Sequence, residues 1–195
     1  HGIHSTAPDI SAAFYLQNNT DSDPYEEDRG LKFHYTEVPM NPIQRIFYGA
    51  PGVGKSYTVN KLIETFYPDP DEFNAHCKRL IFHPTYTYED FIGSIKPMLS
   101  QDRPMEHLFM PGPLTTLLKS AFSNPAEPYF LIIEEINRGN APAIFGDLFQ
   151  LLDRQPSGKS KYPVQNYDMS SFFAKDPGLK NIFPDSKIWF PANFN

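Results

Sequence analysis

The octet Gly49-Ala-Pro-Gly-Val-Gly-Lys-Ser56 limits what this chain can fold into more than any other feature, because it fits G-x-x-x-x-G-K-[ST] and separates two periodicities. Ahead of it, Ile46, Phe47 and Tyr48 form a short apolar run that reads as a strand. Behind it, Val59, Leu62, Ile63 and Phe66 recur at helical spacing, and Pro68 ends that helix. Strand, glycine loop and helix in this order predict an α/β fold. Its backbone N–H groups curl around an anion at the helix N-terminus, where the helix dipole adds to the attraction. Gly49, Ala50, Pro51, Gly52, Val53, Gly54, Lys55, Ser56 and the adjoining Tyr57 are therefore the candidate cradle for a nucleoside triphosphate. Lys55 is expected to reach the β and γ phosphates, and Ser56 to offer its hydroxyl to the Mg²⁺ that bridges them.

The rest of the chain alternates in the same way. Arg79-Leu-Ile-Phe-His83 reads as a second strand, and Thr87 and Asp90 have helix-starting spacing. A helix opening at Pro113 lines up Leu114, Leu117, Leu118, Ala121 and Phe122. Tyr129-Phe-Leu-Ile-Ile133 is apolar throughout, as expected of a strand covered on both faces of a parallel sheet. A further helix with Pro142 near its start carries Ile144, Phe145, Leu148, Leu151 and Leu152. The pattern predicts a parallel sheet flanked by helices. Residues 1–35 mix acidic, Ser, Asn and Pro positions without a period and read as a loosely ordered lead-in; residues 36–195 are the expected core.

Bulk properties narrow the function. With 195 residues, 40% of them hydrophobic, the chain can bury one sizeable core. A net charge of -6 gives no general pull toward a polyanion, so any DNA contact is expected to be indirect or to belong to another domain. The single cysteine, Cys77, cannot form an intrachain disulfide or a zinc site. No apolar run nears the roughly 20 residues that span a bilayer, and a cytoplasmic address without membrane contact is the expectation.

The apolar strand ends in two acids, Glu134 and Glu135. One carboxylate on the metal and another near the attacking water is the arrangement a triphosphate-hydrolysing site requires. Glu134 takes the metal side with Ser56, and Glu135 the catalytic side, where a carboxylate can accept a proton that an amide cannot.

The stretch Glu134-Glu-Ile-Asn-Arg-Gly-Asn140, continued by Ala141-Pro-Ala-Ile-Phe-Gly-Asp-Leu148, closely resembles the AAA+ NTPases of the McrB type, the motor subunits of modified-cytosine-specific restriction systems. Phe82-His-Pro-Thr-Tyr-Thr-Tyr-Glu-Asp-Phe91 and the Pro111-Gly-Pro113 turn resemble the same family. The resemblance implies Mg²⁺-dependent use of GTP or ATP, a homo-oligomeric ring, usually a hexamer, and a nuclease subunit as partner. It also implies that Asn137 and Arg138 lie at the γ-phosphate or the subunit interface as catalytic residues beside Lys55 and Glu135. Arg154 is a second candidate for an arginine acting on a neighbouring subunit.

Two departures from the family pattern qualify that expectation. Glu134 stands where the family usually has Asp. The run Lys187-Ile-Trp-Phe-Pro-Ala-Asn-Phe-Asn195 resembles the approach to the sensor strand, so the predicted AAA+ sheet is incomplete, truncated before that strand and without the helical lid, and turnover or ring formation is expected to suffer. Two other functions fit the residues: a nucleotide-gated assembly module without useful hydrolysis, and an AAA+ ATPase that remodels proteins. Asn60-Lys61 lacks the spacing of a guanine-reading motif. His83, Tyr86, Tyr88 and Phe91 read as packing residues rather than as base-stacking ones.

Overall fold

A computed structural model of the chain describes residues 42–100 and 103–195, so the lead-in expected over residues 1–35 lies outside the described residues. The fold is mixed α/β. Helix α1 (Lys55–Glu64) leaves the glycine loop and is followed by α2 (Pro70–His76) and strand β1 (Cys77–Ile81). Then come α3 (Tyr88–Ile92), the strands β2 (Gly93–Ser100) and β3 (Arg103–Pro111), α4 (Pro113–Ser123) and β4 (Phe130–Glu134). A 3₁₀ turn (Ile136–Arg138) leads to α5 (Ala141–Phe145) and a second 3₁₀ stretch (Gly146–Leu152). Beyond these lie β5 (Val164–Gln165), α6 (Tyr167–Phe173) and β6 (Lys187–Ile188).

The central pair is β1 beside β4, parallel, with Cys77 opposite Phe130 and Ile81 opposite Glu134. Side chains alternate across that pair because strand period is two. Leu80 of β1 with Leu131 and Ile133 of β4 face the large core built by α3, α4, α5 and the C-terminal segment. Phe130 and Ile132, with Cys77, face a smaller cluster formed by Ile63 and Tyr67 at the end of α1. Both faces are therefore covered, as the continuous apolar run at 129–133 predicts.

The free flank of β4 is met by the last residues of the chain. Tyr129 N–H donates to Asn193 O at 2.7 Å, Asn195 N–H to Tyr129 O at 2.8 Å and Leu131 N–H to Asn195 O at 2.8 Å, a short parallel ladder. The run Ile46–Tyr48, expected as a strand, forms none, and Ile46 and Tyr48 are exposed. An extended segment needs a ladder partner for its N–H and C=O groups. This part of the chain is tied to the body through Ile43, whose N–H donates to the side-chain Oδ1 of Asn195 at 2.7 Å and whose side chain packs against the Ile63, Tyr67 and Phe130 cluster.

The helices start where their caps are. Asp69 accepts from the N–H groups of Asp71 and Glu72 at the head of α2, and Thr87 with Asp90 closes a reciprocal capping box on α3. Between α3 and α4 stands the antiparallel β2–β3 hairpin, which sequence periodicity does not signal. At its base Gly93 and Gly112 are pressed together: a Cβ on Gly112 would lie 2.4 Å from Phe91 O, and one on Gly93 2.4 Å from Met110 O. Higher up, Ile95, Met98, Met105, Leu108 and Met110 are exposed.

Asn193 locks the C-terminal segment to the core. It is buried, and its Nδ2 donates to Ala121 O (2.9 Å), Asn124 O (3.1 Å) and Glu127 O (2.8 Å), which ties the last turn of α4 to the loop that follows it. Replacing Asn193 with Ala should lower unfolding stability by about 1–3 kcal/mol, since buried carbonyls are left without donors. Urea denaturation of the two proteins measures it, and an unchanged midpoint would refute the assignment.

Candidate functional site

The loop from Gly49 to Ser56 runs exposed into α1, and its conformation explains its glycines. Gly54 is the N-cap of α1 at φ 84°, ψ 19°, and Gly52 sits at φ 78°. Both are left-handed geometries that cost L-residues with a Cβ. A Cβ at either position would meet nothing within 4 Å, so the need there is conformational. The first helical hydrogen bond, Thr58 N–H to Gly54 O at 2.9 Å, fixes the N-terminal turn. The remaining first-turn N–H groups carry the positive end of the helix dipole.

Lys55 folds back over this loop. Its Nζ donates to Gly49 O at 2.9 Å and Ala50 O at 2.8 Å, which parks the ammonium over the concavity that phosphates would enter. Two neutral carbonyls are weaker partners than phosphate oxygens. The lysine is thus held over the loop by bonds that a stronger acceptor could replace. Val53 and Tyr57 project outward, 61% and 66% exposed.

The register of β1 on β4 brings the acidic strand end to the loop. Ser56 Oγ donates to Glu134 Oε1 at 3.1 Å, across 78 residues of sequence. Two hard oxygens about 3 Å apart match one edge of an octahedron with Mg²⁺–O bonds of about 2.0–2.1 Å, so the donor set fits Mg²⁺ completed by water and phosphate. Among the described residues no three His, Cys, Asp or Glu side chains converge.

Glu134 has a second partner that sequence reasoning missed. Arg79, on the same face of the sheet, donates from Nη1 to Glu134 Oε1 and from Nη2 to Asn60 Oδ1 of α1. Asn60 follows Ser56 by four residues and so lies on the same face of α1. The available signal was slight: Arg79 lies beside Lys78 in β1, and only the alternation of the strand separates an exposed cation from one that turns inward and needs an anion.

Glu135 departs from the strand in a left-handed conformation, φ 54°, ψ 37°, a strain of about 1–3 kcal/mol for a residue with a side chain. It turns the chain out of the sheet into the 3₁₀ turn Ile136–Arg138, with Arg138 N–H donating to Glu135 O at 2.8 Å. Asn140 then caps α5. Glu135, Asn137 and Arg138 are all exposed, and among the described residues none makes a side-chain hydrogen bond. The structure thus brings Ser56 and Glu134 together, folds Lys55 over the adjoining loop, and leaves Glu135, Asn137 and Arg138 exposed.

Arg154 is not on that surface. Its guanidinium turns inward and donates to Gly158 O (2.9 Å), Phe190 O (3.2 Å), Pro191 O (3.1 Å) and Phe194 O (2.8 Å). Burial pushes its pKa down, yet arginine stays cationic in proteins, and the carbonyl dipoles around it hold that charge. This side chain ties the C-terminal segment in place, which corrects its reading as a candidate for a neighbouring subunit's site.

The aromatic segment after β1 packs as expected. Phe82 and Phe91 are fully buried at 5.9 Å between ring centroids, Tyr86 stacks on Phe82 at 5.1 Å, and Tyr88 Oη accepts from Asn166 at 3.2 Å. Among the described residues, no helix is long and apolar enough to cross a membrane.

The chain is similar to known proteins. The chain is 36% identical over 192 residues to "Type II restriction enzyme BsuMI component YdiS" of Bacillus subtilis, covering 87% of this chain and 53% of that protein. It is 31% identical over 115 residues to "Type IV methyl-directed restriction enzyme EcoKMcrB subunit" of Escherichia coli, covering 59% of this chain and 24% of that protein. The chain therefore spans about half the length of the first relative and about a quarter of the second. Both agree with the McrB-type resemblance carried by residues 134–148. Residues 44–173 match the family described as AAA domain (dynein-related subfamily), which takes in the glycine loop, the acidic strand end and the hairpin between them. The chain belongs to the AAA domain family, in its dynein-related subfamily.

Proposed function

We propose that this chain is the nucleotide-binding core of a motor subunit in a McrB-like restriction system, with residues 36–195 as one AAA+ unit that binds and hydrolyses GTP or ATP with Mg²⁺. The observation that carries the reading is that a glycine loop and an acid 78 residues further along the chain come to one place. The left-handed Gly54 opens α1, Lys55 folds over the loop, and Glu134 meets Ser56 at 3.1 Å. A glycine turn alone has no use for an acid delivered by the neighbouring strand.

In this reading the amides of residues 49–57 bind the phosphates, and Lys55 moves from Gly49 O and Ala50 O onto the β and γ oxygens. Ser56 and Glu134 would hold the Mg²⁺, which neutralises charge on the phosphates. Glu135 orients the attacking water and accepts its proton. Asn137 and Arg138, exposed and unengaged among the described residues, serve the γ-phosphate or a neighbouring copy. A homo-oligomeric ring, a hexamer when complete, would supply that neighbour, and a cation reaching in stabilises the transferred charge. The names of the two relatives support a restriction setting, with a nuclease subunit as partner and DNA reached indirectly or through another domain.

Replacing Lys55 with Ala should weaken triphosphate binding at least about tenfold, the loss expected for charge-assisted hydrogen bonds, in calorimetric titration. Wild-type affinity in that variant would overturn the cradle assignment. Glu135→Gln should keep binding and lower turnover by about 10²–10⁴, measured as phosphate release. If wild-type protein binds tightly but shows no release beyond that of Glu135→Gln, the chain is a nucleotide-gated assembly module rather than a hydrolase.

A further inference from the structure

Four side chains close a ring around the acid at the loop mouth. Ser56 and Asn60 stand one turn apart on α1, Glu134 ends β4, and Arg79 on β1 joins Glu134 to Asn60 with the two arms of its guanidinium. The register explains why they meet: Cys77, Arg79 and Ile81 alternate onto the α1 face of the sheet, as do Phe130, Ile132 and Glu134. Arg79 and Glu134 are only 32% and 29% exposed, so water screens this pair incompletely.

We propose that Arg79 is a positioning residue that acts as a placeholder cation on Glu134, setting how much Mg²⁺ the site requires before nucleotide binds tightly. This rests on the reading of Ser56 and Glu134 as the metal side of the site. Glu134 Oε1 already accepts from both Ser56 and Arg79. To serve a divalent cation, that oxygen must give up one of these hydrogen bonds, and the nearby guanidinium charge opposes the incoming ion. Asn60 gives Arg79 a second acceptor, so the guanidinium stays anchored beside the acid when its bond to Glu134 opens. The ring therefore keeps the carboxylate neutralised and aimed at Ser56 while the loop is empty, at the cost of weaker metal recruitment. A merely structural arginine predicts the opposite sign, because losing it would loosen Glu134 and weaken metal binding.

The test is the Mg²⁺ concentration giving half-maximal binding of a fluorescent nucleoside triphosphate, for wild type, Arg79→Gln and Arg79→Lys. Folding is checked by circular dichroism and thermal melting, and nucleotide affinity is also measured in excess chelator. Arg79→Gln removes the charge but keeps a hydrogen-bond donor, and should need about three- to tenfold less Mg²⁺ than wild type. Arg79→Lys keeps the charge and should stay within about twofold of wild type. Affinity in chelator should be the same in all three. An unchanged or increased Mg²⁺ requirement in a folded Arg79→Gln protein overturns the proposal, as does a Lys variant that behaves like Gln. If Arg79→Gln does not fold, Arg79→Met carries the same comparison and is expected to behave as Gln, with Arg79→Lys again near wild type. Wild-type protein that takes up no nucleotide at all would instead overturn the reading of the site itself.

Discussion

The parallel pairing of β1 with β4 is the constraint from which the rest of the site follows. It sets Ile81 opposite Glu134, and that one register decides which side chains share the α1 face. A slip of β1 by one residue would turn Arg79 into the large core and bring Leu80 out of it, leaving Glu134 without its partner on the α1 face. The core thus enforces the chemistry: the apolar side chains on one face hold the register that presents the polar ones on the other.

The glycine loop adds the second half. Its left-handed N-cap starts α1 at Lys55, so Ser56 falls in the first turn and Asn60 one turn later. In the proposed site neither the loop nor the acid would suffice alone, since the loop offers amides and one cation while the carboxylate comes from β4. The strained backbone at Glu135 completes the division of labour. One acid stays in the sheet plane beside Ser56, and the next is turned out toward solvent.

Much of this was legible in the sequence. The octet, the apolar run 129–133 and the capping pair Thr87–Asp90 carry local signals strong enough to fix helix, strand and turn without tertiary context. What was not legible depends on contacts between distant segments. The β2–β3 hairpin contains Pro97, Pro104 and Pro111, and its apolar residues do not alternate in a single strand-like pattern, so no period marks it. Ile46–Tyr48 has strand composition but makes no strand here, because a strand is a property of a pair. Arg79 read as a charge inside a strand, and only the register reveals its partner. Arg154 looked like a surface arginine because its carbonyl partners, from Gly158 to Phe194, bear no sequence signature.

The pinched glycines at the foot of the β2–β3 hairpin have a mechanical consequence. With Gly93 and Gly112 in backbone contact, and Gly112 N–H bonded to Ile92 O at 2.8 Å, the arm has little slack where it leaves the body. It joins α3 on one side and α4 on the other with no linker between. A side chain at either glycine would wedge apart the two strands at the point where they leave α3 and α4, so the direction in which the arm projects is set by two residues without side chains.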